Sequence, residues 1–269
     1  VERLLKQRKG PDVKFIVQGH IFQCYSHVLL NFCEFFKGDL APGTTVILPV
    51  NKVSAVAFDF AYTWMLSAKA LCFWAKLVEL AQLAMYLQAP KLLNSVMQVF
   101  VNNRSFHKLQ ELHVFNEACA KELHVISNVM LKRICKSFLV FVSVKPFESL
   151  NIAAMVHLLS SNDLAVHNEI EVLYAAIWWL ICDYEQRRIH TYRLLTMVRF
   201  ELLPPLCHLN IGQQLDDILP ETAHRMSLML RLATIDRQTR DQWSNAPAGS
   251  MRKRVYIRDP QCPYLNNVQ

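Results

Sequence analysis

The chain has 269 residues, 52% of them hydrophobic and 19% charged, more than one small domain needs and enough apolar material for a sizeable core. A membrane-spanning helix takes roughly 20 apolar residues, and the nearest run, Phe138–Val144, is far shorter; the opening VERLLKQRKG also lacks the apolar region of a secretory signal. The net charge of +7 is uneven: residues 1–224 hold 21 Lys and Arg against 19 Asp and Glu, while residues 225–258 hold eight against two, so the body is nearly neutral and does not read as a phosphate-tracking surface.

Taken in chain order, residues 2–8 (ERLLKQR) predict a short amphipathic helix ended by Gly10-Pro11. Residues 12–17 alternate as a strand, Gln18-Gly19-His20 is a turn, and residues 21–24 return, which is a hairpin signal. Ser26 is placed to cap a helix running to Gly38, residues 45–48 form a third strand closed by Pro49, and Asn51 is placed to cap a helix through Trp64. Residues 76–87 carry Leu77, Leu80, Ala81, Ala84 and Leu87 at helical spacing, and a helix over 90–102 follows with proline in its first turn. From about residue 108 onward no strand pattern recurs. Helices are predicted over 111–123, 126–142, 146–159, 169–184, 189–198, 204–210 and 221–235, joined by short polar connections as in an antiparallel helical array. No internal repeat is visible.

Six glycines occur, none in a GxGxxG or GxxxxGK frame, so the two commonest phosphate-cradling loops are absent. Eight cysteines are widely and irregularly spaced, mostly in apolar contexts, and read as free, buried thiols of a cytosolic protein. No CxxC or HxxxH pair exists, and Cys119 and His124 stand at no strong metal spacing. There is no nucleophile elbow or paired-carboxylate pattern either, so no enzyme, cofactor or metal is expected. Glu169 stands at a helix start, where the dipole favours a carboxylate, and reads as a cap or salt-bridge residue. Phe32, Phe35 and Phe36 cannot all share one helix face, so at least one must look outward or toward a partner. Trp178 and Trp179 point about 100° apart on a helix, so one reaches a second surface. The tail RKRVYIRDPQCPYL mixes bases with aromatics and reads as a solvated or self-docking segment ahead of a partner-docking or nucleic-acid one.

The segment DVKFIVQGHIFQCYSHVLLNFCEFFKG resembles the start of a BTB (POZ) domain, through Asp12, Val13, Gly19, Phe22, His27, Leu29, Leu30, Phe35 and Phe36, with Cys33 in the usual serine place. Phe60, Tyr62 and Thr63 resemble that family's aromatic-x-Tyr-Thr stretch. HLLSSNDLAVHNEIEVLYAAIWWLICDYEQRR resembles a BACK domain, the helical partner of BTB in kelch-type adaptors, through Leu158, Leu159, Asp163, Leu164, Glu169, Val172, Ala175, Trp179, Asp183 and Arg187. TMVRFELLPPLCHL resembles its next helix. The chain departs from the pattern in FFKGDLAPGTT, which lacks the hydrophobic-x-Glu motif of many cullin-binding members, and in having no kelch repeats.

The resemblance implies an α+β chain: an N-terminal BTB/POZ fold of short strands flanked by helices over 1–106, an all-α BACK domain over 107–220, and a basic extension over 221–269. It implies a non-enzymatic homodimeric adaptor that links a client protein to a cullin-3-type ubiquitin ligase. A scaffold without a ligase role, or a transcription-associated regulator using the basic tail, are the alternatives. Leu4, Leu5, Asp12 and His27 are then expected at the dimer interface. Phe35, Phe36, Leu40 and Tyr62 are expected to face the cullin, and Glu169, Val172, Trp179 and Arg187 to mark the BACK core. The expected location is the cytoplasm, with the nucleus second; neither nucleic acid nor membrane is an expected partner, and the client is unnamed by the sequence.

Overall fold

The computed structural model describes residues 10–38, 40–67, 76–102, 106–203 and Arg254. The predicted helices over 2–8, 204–210 and 221–235 lie outside them, as do Leu4, Leu5 and the tail apart from Arg254. The chain divides into two compact units between Phe106 and His107.

The first unit opens with strands β1 (Val13–Val17) and β2 (His20–Cys24), paired antiparallel with Phe15 opposite Phe22. Their turn holds Gln18 and Gly19 at φ 51° and 80°. Two successive left-handed residues are what a tight hairpin needs, and glycine takes the second without a Cβ clash. Strand β3 (Thr45–Ile47) lies parallel to β1, giving the order β2-β1-β3. One face of β1 buries Val13, Phe15 and Val17, with Phe15 against the rings of Phe36 and Phe58 at 5.3 and 5.4 Å. Among its described residues the unit also holds helices α1 (Ser26–Phe32), α2 (Ala55–Ser67), α3 (Leu77–Tyr86) and α4 (Pro90–Val101). On α4, Leu92, Val96 and Phe100 recur every four residues and are all buried.

Three local readings change here. Helix α1 does not run to Gly38: it breaks at Cys33, whose backbone is extended, and Glu34–Phe36 forms a separate 3-10 turn. Ser26 is no cap, because its hydroxyl is turned to Asp12. The cap ahead of α2 is Ser54, whose Oγ accepts the Ala57 N–H at 3.2 Å, rather than Asn51.

Among its described residues, the second unit is helical, built on α5 (Lys108–Ala120), α6 (His124–Lys136), α7 (Phe138–Val142), α8 (Lys145–Glu148), α9 (Ile152–Ser160), α10 (Glu169–Cys182), α11 (Tyr184–Arg187) and α12 (Thr191–Leu195). The sequence ran α6 into α7 and α8 into α9. The structure interrupts the first pair at Ser137 and the second at Asn151. Asn151 is a true cap, accepting the Ala154 N–H at 2.9 Å, and its amide and backbone also bond to Asn116 on α5. One polar residue thus starts α9 and fixes it to α5. Asn168 caps α10 by accepting the Ile170 N–H at 2.9 Å, and Glu171 reaches back to the His167 N–H at 2.7 Å. Phe115, Phe138, Phe141, Phe147, Leu158 and Leu173 fill the core of this unit.

Candidate functional site

In the first unit the side chains expected at an interface, and the exposed apolar ones near them, fall into three groups. The first is the outer face of the sheet. Ile16 pairs across the strands with both Ile21 and Ile47, and these two are 66% and 74% exposed. Three isoleucines in a row across a sheet form an apolar stripe, whereas lone exposed apolar residues are ordinary.

The second group surrounds the break after α1. Phe32 packs edge-on to Trp64 at 5.6 Å, with the Lys91 ammonium 5.5 Å from its ring centre. Phe35 is 44% exposed and rests on the Tyr86 ring at 5.1 Å. Phe36 and Leu40, expected with Phe35 on an outward face, are instead buried. The kink at Cys33 rotates Phe36 onto Phe15 while leaving Phe35 outside, so those two positions support the unit from within.

The third group is polar. Asp12 accepts the Ser26 N–H at 2.7 Å and the Ser26 hydroxyl at 2.5 Å. Burial alone would raise the Asp12 pKa, but the bonds from Ser26 outweigh it and hold the carboxyl below the ordinary aspartate value. His27 follows directly, its ring 5.5 Å from Tyr25 and its buried Nε2 without a hydrogen-bond partner. Tyr62 is half-buried; its oxygen accepts the Tyr25 N–H at 2.8 Å, and burial first of all raises its hydroxyl pKa. Asp12 and Tyr62 therefore tie the start of α1 to β1 and to α2.

In the second unit Trp179 and Arg187 form a clamp. The Trp179 indole N–H donates to the Leu150 carbonyl at 2.8 Å. The Arg187 guanidinium lies 4.2 Å from the indole and donates to the Trp179 and Glu148 carbonyls at 2.5 and 2.6 Å. Trp178, the adjacent indole, is 46% exposed, as the angular step of a helix demands. Glu169 is fully buried and accepts from Arg254 Nε at 2.6 Å and from the Arg199 N–H at 3.3 Å.

Residues 111–211 match the family model BACK, BTB And C-terminal Kelch. Proteins with a BACK domain generally bind other proteins. All four marker positions lie inside the BACK match: Glu169, Val172 and Trp179 are buried in it, and Arg187 covers the Trp179 ring. The expectation that Glu169 would cap or pair resolves to pairing, since Asn168 does the capping. Val198 and Phe200 are buried beside Arg199. The family match lies within the helical unit; the strand-and-helix arrangement of the first unit is compatible with the BTB expectation.

One constellation in the BACK region was not legible from spacing. Cys119 Sγ lies 3.8 Å from His157 Nδ1, and His157 Nε2 lies 3.1 Å from Asn128 Oδ1. Thiol, imidazole and amide in that order are the parts of a cysteine nucleophile. The electrostatics oppose it. Burial pushes the Cys119 thiol up to about 11, while burial and then His124 push His157 down. A raised thiol beside a lowered imidazole stays neutral, so the thiolate that would attack is scarce near pH 7. The trio joins α5, α6 and α9. Among the described residues no group of three or more His, Cys, Asp or Glu is placed to hold a metal, and no helix is long and apolar enough to cross a membrane. The five described cysteines are free; Cys24, Cys33 and Cys135 are buried, whereas Cys182, expected inside, is exposed.

Proposed function

We propose that this chain is a non-enzymatic, homodimeric adaptor of the BTB-BACK type that links a client protein to a cullin-3-type ubiquitin ligase. The BACK match over 111–211 carries the reading. The exposed Ile21 and Ile47 supply an apolar stripe suited to a second copy, and Phe35 with Tyr86 an aromatic surface suited to another protein. Such an adaptor works by effective concentration: a dimer holds two ligase arms and two clients near one another and needs no chemistry of its own. Immobilised full chain is titrated with the N-terminal part of the cullin, and light scattering gives the oligomeric state. Binding at or below tens of micromolar supports the ligase role, and its absence refutes it.

A second reading is a BTB-BACK scaffold that self-associates without a ligase. It is favoured by the inward placement of Phe36 and Leu40, two of the four side chains expected to meet a cullin. A dimer that fails to bind the cullin identifies this reading. The use of the basic tail as a nucleic-acid segment is weakened by Arg254, whose charge is spent inside the helical unit.

A further inference from the structure

Arg254 is the one feature of the tail that the structure describes, and it is 4% exposed. Its guanidinium uses three nitrogens on three acceptors: Nε on Glu169 Oε1 at 2.6 Å, Nη1 on the Ser161 carbonyl at 2.5 Å, and Nη2 on the Met197 carbonyl at 3.1 Å. The acceptors come from three places. Ser161 closes α9, Glu169 opens α10, and Met197 lies just past α12. Carbonyls at helix ends have no partner within their own helix and sit at the negative end of its dipole, so two helix ends and one buried carboxylate converge on a single cation. Glu169 also receives the Arg199 N–H, which helps to hold the carboxylate in place whether or not Arg254 is present.

We propose that the ends of α9, α10 and α12 form a receptor for an arginine side chain, and that Arg254 is its cis ligand, latching the C-terminal segment onto the helical unit. The site selects arginine because its acceptors need a planar fork of separate N–H donors. Lysine presents its three N–H donors from one nitrogen, whereas the three acceptors here meet three separate nitrogens. Nothing in the proposal depends on cullin binding or on dimerisation. The latch is exchangeable in principle: a tethered ligand faces its site at an effective concentration on the order of millimolar, so an arginine peptide at that level competes with it.

The test uses the full chain carrying Arg254→Ala and a fluorescent peptide of residues 250–258, SMRKRVYIR. Anisotropy is expected to show binding to this variant and at least tenfold weaker binding to the wild-type chain, whose site is filled. The same peptide with Lys in place of Arg254 is expected to bind the variant at least tenfold more weakly, and adding Glu169→Gln to the variant is expected to weaken the arginine peptide similarly. Equal binding of the two peptides, or none of either, overturns the proposal. A second arrangement avoids the emptied site. A protease site is inserted between residues 240 and 248 of the otherwise native chain, and the cleaved protein is passed over a sizing column. The C-terminal fragment is expected to co-elute with the body, and to separate when Arg254→Lys is introduced. Separation of the native fragment, or equal retention of the lysine one, refutes the latch.

Discussion

Replacing Trp179 with phenylalanine tests whether the indole clamp holds the BACK region together. Trp179 is 2% exposed and its N–H is the donor to the Leu150 carbonyl. Phenylalanine keeps an aromatic ring but removes that donor, and a buried carbonyl left unpaired costs about 1–3 kcal/mol. The smaller ring leaves a gap worth about 1 kcal/mol, and the stacking of Arg187 weakens by about 0.5 kcal/mol. Taking about 2 kcal/mol for the carbonyl, the sum is about 3.5 kcal/mol. For a unit of this size each kcal/mol moves the midpoint by about 2–4 °C, so calorimetry of the full chain should show a fall of about 7–14 °C. Arg187→Ala alone should cost less, about 1–2 kcal/mol, because that side chain is partly exposed. The two changes together should cost less than their sum, since the cation has no indole left to cover. A shift under about 3 °C for Trp179→Phe, or strict additivity of the pair, refutes the clamp.

The aromatic surface and the core beside it should separate cleanly. Phe35→Ala should leave the melting midpoint nearly unchanged and weaken the cullin titration, whereas Phe36→Ala should cost about 3–5 kcal/mol of stability through a core cavity. Aspartate at both Ile21 and Ile47 should turn a dimer into a monomer by light scattering; an unchanged mass would exclude that stripe from the interface. The depressed Asp12 pKa gives a signed pH effect. Its contribution is fully present above the unfolded value of 3.8 and is lost as pH falls through the lower folded value, so urea midpoints of wild type and Asp12→Ala should differ at pH 6 and converge in acid. Thiol labelling at pH 8 should find Cys182 ahead of Cys24 and Cys33: burial and then Glu148 raise its thiol too, but it is exposed, whereas theirs are buried and pushed up to about 12. Cys182→Ser should therefore remove a thiol that labels before those two, and Cys24→Ser should leave the early labelling unchanged.

The elements carrying their own local signal were legible in the sequence. The hairpin of β1 and β2 follows from alternation around Gly19, and α3, α4 and α10 follow from apolar spacing with a proline or a cap nearby. The angular step of a helix separates Trp178 from Trp179, and the resemblance to the BACK pattern, not the step, names Trp179 as the buried one. Errors gathered where a side chain had two possible partners. Ser26 is a good cap by composition, yet Asp12, fourteen residues back, takes its hydroxyl. The run 126–142 is apolar enough for one helix, and only packing places the break at Ser137. Of Phe35, Phe36 and Leu40, expected to face outward, Phe35 does, while the break at Cys33 turns Phe36 inward and Leu40 is buried.

By itself the sequence determined the helices described within 107–203, the strand pair at the front and the concentration of charge in the tail, because these rest on spacing and composition along the chain. Only the tertiary structure decided which groups meet. Cys119 and His157 are 38 residues apart, and Glu169 and Arg254 are 85 apart, with no periodicity linking either pair. Chain spacing carries no information at such distances; the need of a buried carboxylate for a cation is satisfied by whichever arginine the fold delivers.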